Sequence, residues 1–169
     1  MEHSVKKGQT SIEFMLLIVI TLLYIQTVIT PNVTETLSSI SDTTRVGAAR
    51  LATEKLTNAI NYVAASNSES KTTVNLFIPD RTLIICDEVN KRLRYETTVD
   101  SDIAKCGVLD EKPENCDKNF DLNPTINVVC QIPPFNSAKI IDSNYVSNPV
   151  TLYIERNTAG TVTISGNIS

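Results

Sequence analysis

Few residues in this chain could do chemistry, and their types narrow what that chemistry is. The only histidine is His3, so no Ser–His or Cys–His pair can form in the body of the chain. No Gly-rich phosphate loop is present. Asp87-Glu88 and Asp110-Glu111 are local acid pairs, and Asp100, Asp102, Asp110 and Glu111 lie close in sequence without EF-hand spacing. Solvated carboxylates are the expectation there. The residues thus predict no enzyme, no cofactor and no metal site. A net charge of −4 and the absence of a basic stripe argue against nucleic acid, because Lys91, Arg92 and Arg94, the densest basic group, sit among acids.

Cys86, Cys106, Cys116 and Cys130 all follow the apolar N-terminal segment, and no pair has C-x-x-C spacing. A zinc site would need four scattered thiolates without a paired knuckle. Disulfides are the better reading, and they place this part of the chain in an oxidising exterior. Four cysteines allow three connectivities. The expected one is nested, Cys86–Cys130 around Cys106–Cys116, since the inner pair would close the loop Lys112-Pro113-Glu114-Asn115. Exported chain also gives meaning to two N-x-[ST] sequons, at Asn32 and Asn167, as possible glycan sites.

The remaining residue of interest is Glu13, a carboxylate one residue into an apolar run. Ile12–Ile29 covers 18 residues, about 27 Å as a helix, just enough for a hydrocarbon core of about 30 Å. Lys6 and Lys7 upstream predict a cytoplasmic N-terminus with the rest of the chain outside. The run is longer than the ~7–15 residue apolar region of a secretory signal. Its far end, Ile25 to Pro31, lacks a small-x-small cleavage site, so the segment reads as retained. A charged side chain in that setting costs about 2.5–3.5 kcal/mol at a helix centre, less near an interface. Either Glu13 sits at headgroup level or it needs a cation once buried among helices. An amine freed by cutting between Gly8 and Gln9 would supply one.

Lys7-Gly8 followed by Gln9, Ser11, Glu13 and Leu17 resembles the class III signal peptide of archaeal type IV pilins, whose pattern is Q-x-S-x-E-x-x-x-L after a basic residue and Gly. The likeness covers only about the first 30 residues. Archaellins share the layout but usually lack the Gln-led pattern. The resemblance implies a leader, 1–8, removed by a membrane-bound prepilin peptidase, and a mature chain that begins at Gln9. It implies a structural subunit, major or minor, of an extracellular filament. Its partners would be the membrane before assembly, the pilus assembly machinery and copies of itself or related pilins. The precursor would sit in the cytoplasmic membrane with its N-terminus inside, and the product on the cell surface. The alternative is a membrane-anchored extracellular binding or adhesion module that does not polymerise.

Elements must position these residues. A transmembrane or filament-core helix is expected over 9–30, with Pro31 kinking it. An amphipathic outer helix is expected over 31–67. Its stripe is Val33, Leu37, Ile40, Gly47, Ala48, Leu51, Leu56, Ala59, Ile60 and Val63, and it stops at Ser66-Asn67-Ser68. The mature helix would then be about 87 Å long. Beyond it, 68–169 reads as an extracellular β domain. Strands are expected over 73–78, 82–86, 93–99, 125–132, 150–154 and 161–165. The last two would form a hairpin through Asn157-Thr158-Ala159-Gly160, and 100–124 reads as a long acidic loop. The fold class is therefore α+β: a long N-terminal helix packed against a small, mostly antiparallel sheet.

Overall fold

The computed structural model describes residues 3–66, 69–99, 115–131, 139–144 and 148–167, with backbone only for 3–11, 115, 117 and 167. The chain divides into two compact units, Met1–Ile40 and Ser41–Ser169. The expected segment limits at Gly8, Thr30 and Asn67 do not coincide with that division, which falls inside a helix. That the chain is α+β, with one long apolar N-terminal helix, follows the expectation.

The first unit is helical. Helix α1 spans His3–Tyr24, a π-helical turn follows over Ile25–Ile29, and α2 begins at Thr30 and runs to Ala65. Proline has no N–H to donate, and its ring crowds the carbonyl four residues back. The chain meets this ahead of Pro31 by widening one turn: the Thr30 N–H bonds the Ile25 carbonyl, five residues back. Pro31 then occupies the second position of α2, where a missing donor is tolerated.

In the second unit, α2 buries Ala49, Ala52, Leu56, Ile60 and Val63 in one core with both sheets. Ala49 is wholly buried and Ala52 almost so. Thr53 and Thr57, also buried, return their hydroxyls to the carbonyls of Ala49 and Thr53, each at 2.9 Å. The single stripe expected from sequence is corrected here. Leu51 is 67% exposed and Ile40 58%, while Ala49 and Ala52 take the inward positions. At about 100° per residue, Leu51 lies roughly opposite Ala49, so the two cannot share a face. Polar contacts latch the helix to the strands. Arg45 bonds buried Asp42 at 2.9 Å and the Thr98 carbonyl at 3.3 Å. Lys55 reaches the Asn75 carbonyl at 2.8 Å, and Arg156 bonds the Ser66 carbonyl just past the helix end.

Among the described residues, eight strands form two four-stranded sheets rather than the one expected. Sheet A holds β1 (Lys71–Leu76), β7 (Val150–Arg156), β8 (Thr161–Asn167) and β5 (Asn127–Cys130) in that order, with β5 parallel to β8. Sheet B is antiparallel, ordered β4 (Asn115–Asp121), β3 (Arg92–Thr98), β2 (Thr82–Asp87) and β6 (Ile140–Asp142). Alternation sends Val74, Leu76, Ile84, Leu93, Leu152, Ile154, Val162 and Ile164 inward. The β7–β8 hairpin forms as expected: Gly160 takes φ +81°, its N–H bonds the Asn157 carbonyl at 3.0 Å, and Asn157 Oδ1 accepts from the Thr161 N–H at 2.8 Å.

Two strands depart from the expectation. Strand β4 lies inside the supposed 100–124 loop. Its sequence, Asn-Cys-Asp-Lys-Asn-Phe-Asp, has no β-branched residue. It is held by pairing with β3 along seven residues and by the inward Cys116 and Phe120, the latter with its ring 6.2 Å from that of Tyr95. Strand β6 is three residues long and buries Ile141 alone. The expected 125–132 strand contracts to β5.

Truncation should report the corrected stripe. Leu56→Ala, which opens a cavity in the core, should cost about 2–5 kcal/mol. Leu51→Ala should stay within about 0.5 kcal/mol. Denaturant unfolding of the full chain in detergent, followed by the signal of the β domain, measures both.

Candidate functional site: an uncovered apolar helix

The first unit carries the candidate site. From Ile12 to Ile29 every large apolar side chain is exposed, including Phe14, Met15, Leu16, Leu17, Leu22 and Leu23, and none joins the core, whose first member along the chain is Ala49. The helix is long and apolar enough to cross a membrane. Burying such a surface contributes about 25 cal/mol per Å², so its exposure in the isolated chain leaves a large favourable term unused.

Glu13 stands exposed between Ile12 and Phe14. No cation among the described residues reaches it. Lys7, Gly8, Gln9 and Ser11 lie on α1, though their side chains fall outside the description. Gln9 and Glu13 are four residues apart on one helix, which puts them on the same face one turn apart. Leu17, the last residue of the N-terminal motif, is one further turn along and exposed.

Sequence reasoning missed how the polar residues of this helix behave. The hydroxyls of Thr21, Thr27, Thr34 and Thr36 each donate to the carbonyl four residues back, at 2.7–2.9 Å. Thr30 Oγ1 bonds the Ile25 carbonyl at 3.1 Å, Asn32 Nδ2 bonds that of Val28 at 2.6 Å, and Ser38 bonds that of Glu35 at 2.9 Å. Each of these side chains thus places a donor on its own helix, which lowers the cost of entering a dry environment. The available signal was the helical placement itself, because Ser and Thr in helices commonly bond back in this way.

The two sequons separate on the same grounds. At Asn32-Val33-Thr34 both the amide and the hydroxyl are engaged within a helix. Asn167 ends β8, and its side chain lies outside the described residues.

In the second unit the disulfide Cys86–Cys130 joins β2 of sheet B to β5 of sheet A, with Cα atoms 6.6 Å apart. Cys116 is also disulfide-bonded, whereas Cys106 lies outside the described residues, so the inner pair is not described. The acids Asp100, Asp102, Asp110 and Glu111 lie there too. Among the described residues no group of three or more His, Cys, Asp or Glu side chains is placed to hold a metal.

Asp87 and Glu88 have structural duties, which corrects the expectation of merely solvated acids. Asp87 accepts from the Asn90 side chain at 2.6 Å and from its N–H at 2.9 Å, closing the β2–β3 turn, and these bonds hold its carboxyl below the usual range. Glu88 bonds the Cys130 N–H at 2.7 Å and the Lys139 ammonium. Burial pushes its carboxyl up, but the Lys139 hydrogen bond, the Cys130 N–H and the Lys139 charge outweigh it, and the net direction is down. No family model matches the chain, and no curated protein or solved structure matches it either.

Two outcomes follow from these contacts. Glycopeptide mapping of the protein recovered from its own cells should find Asn32 unmodified. A carboxyl held low stabilises the fold above the ordinary carboxylate range and loses that contribution as pH falls through its folded value. Glu88→Gln should therefore be about 1 kcal/mol less stable than wild type at pH 7, with the gap closing toward pH 3. Thermal unfolding of the detergent-solubilised chain across that range measures it.

Proposed function

We propose that the chain is the precursor of a pilin-like structural subunit, which is cut between Gly8 and Gln9 and assembles into an extracellular filament through its N-terminal helix. The observation that carries this reading is the helix Ile12–Ile29. Its apolar side chains are exposed all round, while the core of the second unit is complete without them. A surface of that kind needs an external cover, first lipid and then other helices. The N-terminal motif Gln9, Ser11, Glu13, Leu17 supports the order of events.

The mechanism has three steps on this reading. The precursor is held in the membrane by the apolar helix, with Lys6 and Lys7 on the cytoplasmic side. A prepilin peptidase removes Met1–Gly8, which deletes both lysines and creates an α-amine at Gln9. The helix then leaves lipid for a bundle of like helices, where the new amine of its own or a neighbouring chain neutralises Glu13. A buried ion pair adds little net stability, but a buried charge left alone costs about 3–5 kcal/mol. The pair therefore acts mainly to select one register. The β domain would face outward, with Cys86–Cys130 holding its two sheets together in an oxidising exterior.

Intact-mass measurement on the protein recovered from cells should show a chain beginning at Gln9. Glu13→Ala should be cut normally, yet should lower filament yield by roughly tenfold or more, because a register-setting contact of about 1.4 kcal/mol or more per subunit is lost. Wild-type protein that retains Met1–Gly8 and extracts as a monomer would favour the anchored, non-polymerising module instead.

A further inference from the structure

The Cys86–Cys130 disulfide joins two buried positions, each no more than 5% exposed. Cys86 lies in β2, an inner strand of sheet B, and Cys130 ends β5, a four-residue strand at the edge of sheet A. Strand β5 runs parallel to β8, and the Gln131 N–H bonds the Ile164 carbonyl at 2.8 Å. Alternation along the strand therefore turns the Cys130 N–H away from β8, toward the open edge. A buried donor on such an edge needs a partner from elsewhere. Glu88 supplies it, accepting this N–H at 2.7 Å.

Glu88 is itself held. Its other carboxylate oxygen takes the Lys139 ammonium, and the Lys139 carbonyl accepts the Cys86 N–H at 3.0 Å. Cys86, Cys130, Glu88 and Lys139 thus close a ring of four links, of which one alone is the S–S bond. Within this ring Lys139 keeps φ +61°, a left-handed conformation unfavourable for a residue with a Cβ. Such a conformation persists where surrounding contacts over-determine it. Lys139 has those contacts at both ends, its carbonyl on β2 and its ammonium on Glu88. Hydrogen bonds to ionised groups are roughly twice as strong as neutral ones, so the two Glu88 links dominate the ring outside the sulfurs.

We propose that Glu88 and Lys139 form a clamp that holds Cys130 against Cys86 whether or not the sulfurs are bonded, which makes Glu88 a positioning residue for this disulfide. In the reduced chain three of the four links remain. The two thiols stay adjacent, and Cys86 pairs with Cys130 rather than with Cys106 or Cys116. Closure takes a small-molecule disulfide as oxidant, such as oxidised glutathione. One cysteine thiolate attacks it, releasing a glutathione thiolate and leaving a mixed disulfide on the protein. The second cysteine thiolate attacks the protein sulfur of that bond and releases the other glutathione. Two cysteines thereby lose two protons and two electrons, and one oxidised glutathione becomes two reduced ones. The clamp acts in the second step, as a high effective concentration of one thiol at the other.

The test equilibrates the full chain in detergent with mixtures of reduced and oxidised glutathione, then traps it with acid. Peptide mapping by mass spectrometry reads the oxidised fraction of the Cys86–Cys130 pair, and near-ultraviolet circular dichroism checks that each variant is folded. Glu88→Ala and Lys139→Met should each lower the midpoint ratio of reduced (squared) to oxidised glutathione roughly tenfold. Both should also raise the yield of peptides that link Cys130 to Cys106 or Cys116. The double variant should be no worse than either single one, since one break opens the ring. Glu88→Gln, which keeps an acceptor for the Cys130 N–H, should fall between, and it carries the test with Lys139→Met if Glu88→Ala does not fold. Val74→Ala, on β1 at the far edge of sheet A, weakens the core without touching the ring and should keep the wild-type midpoint. A wild-type midpoint in Glu88→Ala or Lys139→Met, additive losses in the double variant, or an equal shift in Val74→Ala overturns the proposal.

Discussion

In an apolar environment, every backbone and side-chain polar group of a helix must find its partner within that helix, because neither lipid nor an apolar neighbour offers one. Several side chains of the N-terminal unit meet this requirement. Its threonines and Asn32 fold their donors back onto carbonyls already inside the helix. At Pro31, where one donor is missing, Thr30 directs both its N–H and its hydroxyl to the Ile25 carbonyl across a widened turn. The proline thus changes the helix without leaving α1 and α2 as separate, uncapped ends. Glu13 is a charge with no cationic partner among the described residues.

The second unit meets the opposite requirement and closes a core of its own. Ala49, Ala52, Leu56, Ile60 and Val63 of α2 join the inward strand residues in that core. Sheet A and sheet B are then joined twice near the same place, covalently through Cys86–Cys130 and electrostatically through Glu88, which bridges the Cys130 N–H and Lys139. Within sheet A, the amide of Asn148 extends the β1–β7 pairing beyond Leu76 and Val150, accepting from the Ile78 N–H at 2.9 Å and donating to its carbonyl at 2.7 Å, in the manner of a strand partner. One unit thus leaves its apolar surface outside and the other hides it, within a single α2 helix.

How much of this was legible depends on whether the signal was local. The apolar run, the end of α2 near Ser66, the strands β1 to β3, the β7–β8 hairpin and the Cys86–Cys130 pair could all be read from hydropathy, turn residues and spacing. Strand β4 could not, because Asn115–Asp121 has no intrinsic preference for a strand and gains one only from the partner β3. The parallel β5–β8 contact is set by topology rather than by any local pattern. The amphipathic stripe misled because Leu51 looks like a core residue, whereas the inward positions of α2 there are taken by Ala49 and Ala52. In the candidate site, the apolar length and Glu13 were visible at once. The self-bonding of Thr21 to Thr36 was not, because polarity in a sequence does not say whether a hydroxyl faces water or its own helix.

That distinction bears on what drives assembly on the proposed reading. Acyl chains and leucine side chains are about equally apolar, so moving a helix from lipid into a bundle gains little from hydrophobicity itself. Small terms then decide: shape fit, satisfied polar groups and the fate of one carboxylate. While Met1–Gly8 is attached, α1 runs on as helix through residue 8, so the amide nitrogen of Gln9 is a neutral backbone group and cannot balance Glu13. Hydrolysis of one peptide bond turns that nitrogen into a cation four residues from the acid, and it removes the two lysines that favoured staying put. A single cut thereby changes the sign of the local balance without altering the apolar surface that the membrane and the bundle compete to cover.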